Sequence, residues 1–191
     1  MTALPVSAMQ VSPLDGALVA AVGRGDLEAL GKLFERHEPL VRRYFGRSGI
    51  APGDVDDLVQ AVFLEVMRAA ERYDSQYSVR SWLCGIATIM ARRHQRSLAR
   101  LAARMAAWAG VAAQEDTRTP CDMVEHDQLA RILQRALERP SDKKREVFVL
   151  VTIEGLSGEE AARALGIPLK TVWTRLHYAR CELRAALEQS S

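Results

Sequence analysis

Residues 157–189, SGEEAARALGIPLKTVWTRLHYARCELRAALEQ, carry the clearest structural signals in the C-terminal part of the chain. Ser157 and Glu160 have the spacing of a capping box, which predicts that a short helix begins there. Gly166 then supplies a turn, and a longer helix follows it. This sequence of a short helix, a glycine turn and a longer helix predicts a helix-turn-helix. The longer helix has one apolar face at helical spacing, made by Val172, Leu176, Ala179, Leu183 and Leu187.

The opposite face of the longer helix carries polar, basic and aromatic side chains. Thr and His side chains can bond base edges or phosphates, and Arg and Lys reach phosphates or guanine. A bare Trp and Tyr beside basic residues indicate a contact surface. The alternative is an ordinary helical hairpin whose outer face is simply solvated. We predict that this helix enters the major groove of DNA through Lys170, Thr171, Trp173, Thr174, Arg175, His177, Tyr178 and Arg180.

The composition of the whole chain favours helix. Its 191 residues are 48% hydrophobic but only 6% aromatic, and Ala, Leu, Arg and Glu are the types that helices prefer. The run VFVLVTI (147–153) resembles a strand, but Gly155 lies where a helix C-cap would be. We predict an all-α fold of two small helical domains joined by a flexible linker. The expected boundaries are a disordered tail (1–14), a first domain (15–104), a linker (105–121) and the helix-turn-helix domain (122–191).

A second helix of the first domain begins at DVDDLVQAVF, residues 54–63, with Asp54 as its expected N-cap. Pro39 is expected to kink or split the helix before it. Opposite the apolar stripe of the second helix, carboxylates and an amide lie beside two apolar side chains. Such a surface fits a protein partner with a basic, partly apolar groove. The alternative, that the acids only favour the helix N-terminus, leaves the apolar members unexplained; the surface comprises Asp56, Asp57, Gln60, Leu64 and Met67.

The segment from Arg80 to Arg104 contains six Arg and no Asp or Glu. Arg92, Arg96 and Arg100 recur every four residues and so share one helix face. Solvated faces usually mix charges of both signs, so we interpret this stripe as a phosphate-binding surface. Three aromatic side chains precede the stripe, and aromatics beside arginines are suited to hold unstacked bases. They are Tyr73, Tyr77 and Trp82.

Several other classes of protein have little support. The three Cys and four His residues have no metal-ligand spacing, and no glycine-rich phosphate loop or nucleophile motif is present. We therefore expect neither an enzyme nor a bound metal or cofactor. The N-terminus does not have the pattern of a signal peptide, and no apolar run is long enough to cross a bilayer. These features predict a cytoplasmic protein without direct membrane insertion.

Taken together, three stretches resemble regions 2 and 4 of the extracytoplasmic-function (group IV) sigma factors of bacterial RNA polymerase. They are DVDDLVQAVFLEVMRAAERYD, SWLCGIA and REVFVLVTIEGLSGEEAARALGIPLKTVWTRLHYARCELRAAL. The resemblance covers roughly residues 15–188. It implies that the acidic helix docks on the β′ clamp helices of core RNA polymerase. It further implies a contact of region 4 with the β flap.

The resemblance also implies roles in promoter DNA binding. Region 4 would read the minus-35 element through the residues already named, with Arg145 on the DNA backbone. An anti-sigma factor, often membrane-bound, would hold such a protein inactive, in some cases at the inner membrane face. The loop and helix after the acidic helix would melt the minus-10 element and hold its strand with Tyr73, Tyr77, Arg80, Trp82, Arg92, Arg93 and Arg96.

The chain departs from the family pattern at five positions. Asn is common in the family where Ile89 stands, and an apolar side chain cannot hydrogen-bond to a base edge. Arg93 replaces a frequent acid, Lys170 a Gly, and Trp173 and Tyr178 basic residues. These departures imply promoter elements that differ from the common ones. Two alternatives remain: a stand-alone helix-turn-helix regulator that binds duplex DNA without polymerase, and a helical protein–protein adaptor.

Overall fold

The computed structural model describes residues 13–109 and 140–188, and every regular element within them is helical, which confirms the all-α prediction. A 3₁₀ turn, Ala70–Arg72, follows α3, and a turn of π-helix, Val149–Ile153, follows α5. Within these ranges no helix is both long and apolar enough to span a membrane. The helices are α1 (Pro13–Gly23), α2 (Leu27–Arg47), α3 (Pro52–Ala69), α4 (Val79–Ala109), α5 (Asp142–Phe148), α6 (Gly158–Leu165) and α7 (Leu169–Glu188).

Helix α2 has Asp26 as its N-cap. The Asp26 carboxylate accepts hydrogen bonds from the backbone N–H groups of Glu28 (2.9 Å) and Ala29 (3.0 Å), which satisfies two of the free donors of the first turn. Pro39 lies inside α2, which continues through it, so of the predicted kink or split the split does not occur. Its ring is on the exposed side, where water can solvate the carbonyl that loses its helical partner.

Helix α3 begins two residues before the predicted cap. Ala51, with an extended backbone, precedes Pro52 at the first helical position, where the missing N–H of proline costs nothing. Asp54 therefore lies in the first turn rather than at the cap. Its carboxylate is 3.1 Å from Nε2 of His94, so it links α3 to α4.

Helix α4 is longer than predicted. It continues past Arg104 to Ala109, because the residues Met105–Ala109 are mostly alanine, the strongest helix former. The first part of the predicted linker is therefore helical. The rest of that linker and residues 122–139 of the predicted helix-turn-helix domain lie outside the described residues. Most of the predicted tail does too, although α1 already begins at Pro13.

The second domain contains the helix-turn-helix. The N–H of Glu160 donates to Ser157 Oγ (3.1 Å), and the N–H of Ser157 donates to Glu160 Oε2 (2.9 Å), which confirms the capping box. Gly166 has a φ of 64°, a left-handed conformation that glycine adopts without strain. The run 147–153 is helical, as predicted, and Gly155 follows it with a φ of 70°.

The two domains pack against each other, and we call this the closed arrangement. One hydrophobic cluster contains buried residues of the first domain, such as Leu83, together with Leu150 and Leu165 of the second. Helix α4 crosses α6 at Gly85, where a Cβ atom would lie 3.4 Å from the Cα of Ala164. The absence of a side chain at Gly85 allows this close approach.

Candidate nucleic-acid and polymerase interfaces

Helix α7 presents the predicted DNA-reading residues to solvent. The described members of its apolar stripe are buried, with Val172 and Ala179 fully enclosed and Leu176 and Leu183 nearly so. The opposite side chains are therefore held outward by a packed core, and those in the middle of the helix are exposed or half-buried. We call this the recognition surface; it comprises Lys170, Thr171, Trp173, Thr174, Arg175, His177, Tyr178 and Arg180.

Two aromatic side chains of the recognition surface are also positioned by their neighbours. The Trp173 ring lies over Gly158, where a Cβ atom would come within 2.5 Å of it. Trp173 therefore braces α6 against α7 while half of it stays exposed. The Lys144 ammonium lies 5.9 Å from the centroid of the Tyr178 ring, and Lys144 also forms an ion pair with Glu182. These contacts orient the aromatic rings before any ligand arrives.

Arg145 does not lie on the recognition surface. Its residue is 7% exposed, and its guanidinium packs against Gly49 of the first domain, where a Cβ would lie 2.6 Å from Nη1. Its other contacts include Asp142, at 3.7 Å, in its own helix. In the closed arrangement Arg145 is therefore part of the contact between the domains. A role on the DNA backbone requires the domains to separate.

The acidic helix α3 presents all its predicted partner-binding residues on the outside. Leu64 and Met67 are 52% and 41% exposed, although both are apolar. Asp56 accepts a hydrogen bond from Arg42 (2.6 Å), and Arg42 is in turn paired with Glu38. Asp57 and Gln60 are exposed. We call Asp56, Asp57, Gln60, Leu64 and Met67 the α3 acidic surface.

The arginines of α4 and its N-terminal turn fall into two groups. Arg93 and Arg96 are exposed, and Arg96 Nε donates to the carbonyl of Arg92 (3.1 Å). Arg80 and Arg92 are half-buried and pair with carboxylates of the second domain. One group of the predicted minus-10 residues is therefore accessible, and the other is engaged within the molecule. Ile89 lies among the exposed side chains of the same helix.

Glu154 is the centre of the contact between the domains. Only 2% of its surface is exposed, which is tolerated for a carboxylate when cations and hydrogen-bond donors surround it. Arg47 donates to Oε1 (2.9 Å), and Arg80 donates to Oε2 (3.1 Å) and to the Glu154 carbonyl (2.6 Å). Arg43 Nη2 lies 3.9 Å from Glu154 Oε2. Three arginines of the first domain therefore converge on one acid of the second.

A second ion pair joins Arg92 of α4 to Glu146 of α5. Arg92 Nε and Nη2 donate to the two carboxylate oxygens of Glu146, at 2.8 and 2.7 Å. This two-pronged geometry is the strongest that an arginine makes with a carboxylate. The hydrogen bonds to Glu146 raise the pKa of Arg92 above its ordinary value. In the closed arrangement the Arg92 guanidinium is therefore hydrogen-bonded to Glu146 through two of its nitrogen atoms.

The loop before α4 is also in contact with the second domain. The rings of Tyr73 and Trp82 lie 4.9 Å apart, and the Tyr73 hydroxyl donates to the carbonyl of Tyr77. The guanidinium of Arg163 lies over the Tyr77 ring, 3.4 Å from its centroid, at cation–π distance. Arg163 therefore covers one face of the Tyr77 ring.

Glu160 anchors the same loop from α6. The hydroxyl of Ser78 donates to Glu160 Oε1 (2.6 Å), while Oε2 completes the capping box. Burial acts to raise the pKa of Glu160, but the hydrogen bonds from Ser78 and Ser157 outweigh it, so the pKa lies below its ordinary value. The carboxylate form is therefore favoured where the domains meet.

The acids at the domain interface were missed by sequence reasoning. Glu154 follows the apolar run 147–153, and no basic residue lies near it in the sequence at helical spacing. From the sequence it therefore resembles an ordinary acidic residue at the end of a helix. Its cations lie far away in the sequence: Arg80 is 74 residues and Arg47 is 107 residues distant. The absence of acids from Arg80 to Arg104 was the available signal, since those cations need counterions from elsewhere in the chain or from a ligand.

The described parts of the chain contain few groups suited to metal binding or to thiol reactions. No group of three or more His, Cys, Asp or Glu side chains could hold a metal ion there. Burial raises the pKa of the Cys84 thiol to about 12, which leaves it protonated and unreactive at neutral pH. Cys181 is exposed on α7.

Each of the two domains matches the model of a known protein family. The model of Sigma-70 region 2 matches residues 33–101, and that of Sigma-70, region 4 matches residues 130–183. These matches define a sigma-70-type transcription initiation factor. They coincide with the domain that carries the α3 acidic surface and with the domain that carries the recognition surface.

Individual relatives narrow the family. The chain is 32% identical over 184 residues to RNA polymerase sigma factor NccH of Alcaligenes xylosoxydans xylosoxydans. The aligned region covers 93% of this chain and 96% of NccH. The chain is also 32% identical over 173 residues to ECF RNA polymerase sigma factor SigM of Mycobacterium tuberculosis, covering 91% and 84%. The structure of CnrH in complex with the cytosolic domain of CnrY is similar, with a TM-score of 0.69, 30% identity and coverage of 93% and 99%. The chain belongs to the extracytoplasmic-function family of RNA polymerase sigma factors.

Proposed function

We propose that this sigma factor docks on core RNA polymerase through the α3 acidic surface. The observation that carries the proposal is the exposure of Leu64 and Met67 beside the carboxylates of Asp56 and Asp57. Exposed apolar side chains within an acidic patch are typical of a surface that another protein covers. The partner surface would be basic and partly apolar, as expected of the β′ clamp helices. A contact of the second domain with the β flap belongs to the same proposal.

The DNA contacts would be divided between the two domains. The recognition surface would read the minus-35 element as a duplex in the major groove. The aromatic loop and α4 would melt the minus-10 element and hold the separated strand, with Tyr73, Tyr77, Arg80, Trp82, Arg92, Arg93 and Arg96. Ile89, exposed on the same helix, would offer an apolar contact to a base there.

RNA synthesis itself would be carried out by the polymerase, so the chain needs no catalytic group, metal or cofactor of its own. Its work would be binding and strand separation in the cytoplasm. The relative CnrH was solved with the cytosolic domain of CnrY, which supports an anti-sigma partner for this chain. Such a partner could hold it at the inner membrane face. A stand-alone regulator is not favoured, because the relatives match the chain over both domains.

Reversal of charge on the α3 acidic surface tests the docking proposal. We expect the double variant Asp56→Lys, Asp57→Lys to lose core polymerase binding by about 100-fold or more, because like charges then face each other across the interface. The measurements are pull-down with core polymerase and run-off transcription. Circular dichroism checks that the variant is folded.

A matched control carries the same change in net charge outside this surface. Glu35 and Glu71 are exposed acids of α2 and of the turn after α3, and the double variant Glu35→Lys, Glu71→Lys should retain polymerase binding. Undiminished binding and transcription by the Asp56, Asp57 variant would refute docking through this surface.

A further inference from the structure

Helix α7 carries a cysteine and a histidine side by side on its exposed surface. Sγ of Cys181 lies 3.8 Å from Nε2 of His177, which is four residues earlier in the chain. Residues at this spacing share one face of a helix, and both side chains are exposed to solvent. A thiol and an imidazole nitrogen, both of which bind metal ions, therefore border the same small volume of solvent.

The distance between these two atoms fits a single zinc ion. In tetrahedral coordination zinc lies about 2.3 Å from a thiolate sulfur and about 2.1 Å from an imidazole nitrogen. Two ligands at those distances are about 3.6 Å apart across the tetrahedral angle. The observed separation of 3.8 Å is close to this value, so one ion can bind both atoms after only a small rotation of the side chains.

His177 differs from the two described histidines of the first domain in what lies beside its ring. Nε2 of His37 lies 3.0 Å from a carboxylate oxygen of Asp15, and Nε2 of His94 lies 3.1 Å from one of Asp54. Each of those rings therefore links two helices by pairing with an acid. Nε2 of His177 has a thiol beside it instead, on a surface that solvent reaches.

The two donor atoms favour zinc over a hard cation. Thiolate sulfur and imidazole nitrogen both suit zinc, whereas magnesium and calcium prefer oxygen ligands. The acid that follows Cys181 in the chain is Glu182, and its carboxylate forms an ion pair with Lys144. The pair is therefore suited to a thiol-binding divalent ion.

The histidine of the pair also belongs to the recognition surface. Zinc bound to Nε2 of His177 takes an atom through which that side chain would contact a base or a phosphate. The ion would also hold water molecules above α7, where the edges of the base pairs must come close. Zinc and duplex DNA should therefore compete for this helix.

We propose that Cys181 and His177 form a zinc site on α7, and that zinc bound there prevents the recognition surface from binding promoter DNA. On binding, the Cys181 thiol loses its proton to the solvent and the thiolate bonds to zinc, while neutral His177 supplies the lone pair of Nε2. Water fills the two remaining positions of the tetrahedral ion. The competition with DNA rests on the proposed function of α7, whereas zinc binding itself does not.

Calorimetric titration of the full-length chain with zinc chloride tests the site by itself. The starting protein carries Cys121→Ser, so that this thiol cannot bind the ion, and a phosphine keeps Cys181 reduced. We expect one zinc ion per chain, and an affinity at least about tenfold lower in Cys181→Ser and in His177→Gln. Magnesium chloride should give no binding. Zinc should also slow the alkylation of Cys181 by N-ethylmaleimide.

Two outcomes of the titration would overturn the site. One is an equal zinc affinity of the starting protein and the Cys181→Ser variant. The other is a ratio of one zinc ion to two chains, because a second copy would then complete the coordination in place of water.

An added ligand gives a second test that does not depend on losing a side chain. Arg184 is exposed on α7, three residues after Cys181, so Arg184→His places a third donor on the same face. This variant should bind zinc at least about tenfold more tightly than the starting protein. The control is Glu71→His, which adds an exposed histidine in the turn after α3 and should leave the affinity unchanged. Equal affinities of Arg184→His and the starting protein would contradict the position of the ion.

Fluorescence anisotropy with a promoter duplex tests the competition, using the chain without polymerase. With zinc at about ten times its dissociation constant, the apparent dissociation constant of the duplex should rise about tenfold, and EDTA should reverse the rise. The Cys181→Ser variant should bind the duplex normally without zinc and show no more than about a twofold rise at the same zinc concentration.

The failures of the two ideas are distinguishable. Zinc binding that leaves duplex binding unchanged, or that tightens it, would overturn the inhibition. If the zinc-free chain binds promoter and random duplexes equally, the proposed promoter recognition fails, and the titration still decides whether Cys181 and His177 bind zinc.

Discussion

The recognition surface of α7 is open to solvent, whereas the predicted minus-10 surface of α4 is partly closed. Two of its four arginines, Arg80 and Arg92, are held by carboxylates of the other domain. The two surfaces have similar chemistry, since both combine basic and aromatic side chains. They differ in what they contact. Thr174 and His177 face solvent, whereas Arg80 pairs with Glu154 and Arg92 pairs with Glu146. A basic stripe in a sequence therefore indicates a binding surface but does not show whether that surface is available.

The sharpest contrast lies within α4 itself, one helical turn apart. We expect Arg92→Ala to lower the free energy of unfolding by about 2 kcal/mol, because the nearly buried carboxylate of Glu146 is left without its partner. Arg96→Ala, at an exposed position, should stay within about 0.5 kcal/mol of the wild type. Urea denaturation followed by circular dichroism measures both. If the two variants lowered the free energy of unfolding equally, the pairing of Arg92 with Glu146 would not distinguish it from the exposed Arg96.

A smaller effect separates two roles on the recognition surface. The Thr174 hydroxyl donates to the Lys170 carbonyl (3.0 Å), so its oxygen remains as an acceptor and its methyl group as an apolar contact. We expect Thr174→Ala to weaken binding to the promoter duplex by about 1 kcal/mol while binding to random duplex is unchanged. Fluorescence anisotropy with both duplexes measures this preference.

Arg180, also exposed on α7, is the control for a contact without sequence preference. Arg180→Ala should weaken binding to both duplexes alike and reduce the salt dependence by about one ion. If Thr174→Ala also weakened both duplexes equally, its side chain would not read bases.

The smallest expected effect concerns pH at the domain interface. The pKa of Glu160 in the folded chain lies below its ordinary value of 4.5. Its carboxylate therefore contributes stability above that ordinary value, and this contribution is lost as the pH falls through the lower folded value. From about pH 6 to about pH 4, the melting temperature of the wild type should fall more than that of Glu160→Gln, which keeps a capping side chain. An equal fall in both proteins would assign the acid sensitivity to other groups.

Local signals in the sequence predicted much of the fold. The Ser157–Glu160 capping box, Gly166 and the apolar stripe of α7 depend on neighbours a few residues apart. The structure confirms the capping box, the turn at Gly166 and the stripe from Val172 to Leu183. The split considered at Pro39 does not occur, and local pattern could not exclude it because the cost of a proline depends on which side of α2 faces water. The end of α4 was misjudged because small residues suit a helix as well as a linker.

The arrangement of the two domains could not be predicted from local pattern. The cations of Glu154 are spread over α2 and the start of α4, and nothing near Glu154 in sequence indicates them. Arg145 was assigned to the DNA backbone only through the family resemblance, and the structure instead buries it against Gly49. The assignments of the recognition surface and the α3 acidic surface to promoter and polymerase remain predictions.

Run-off transcription on fragmented genomic DNA, with core RNA polymerase and the purified chain and with sequencing of the RNA 5′ ends, tests the sigma-factor assignment most directly. We expect transcripts that start at a limited set of sites, share minus-10 and minus-35 elements upstream, and disappear with the Asp56→Lys, Asp57→Lys variant. The same start sites with and without the chain would contradict the function proposed for it.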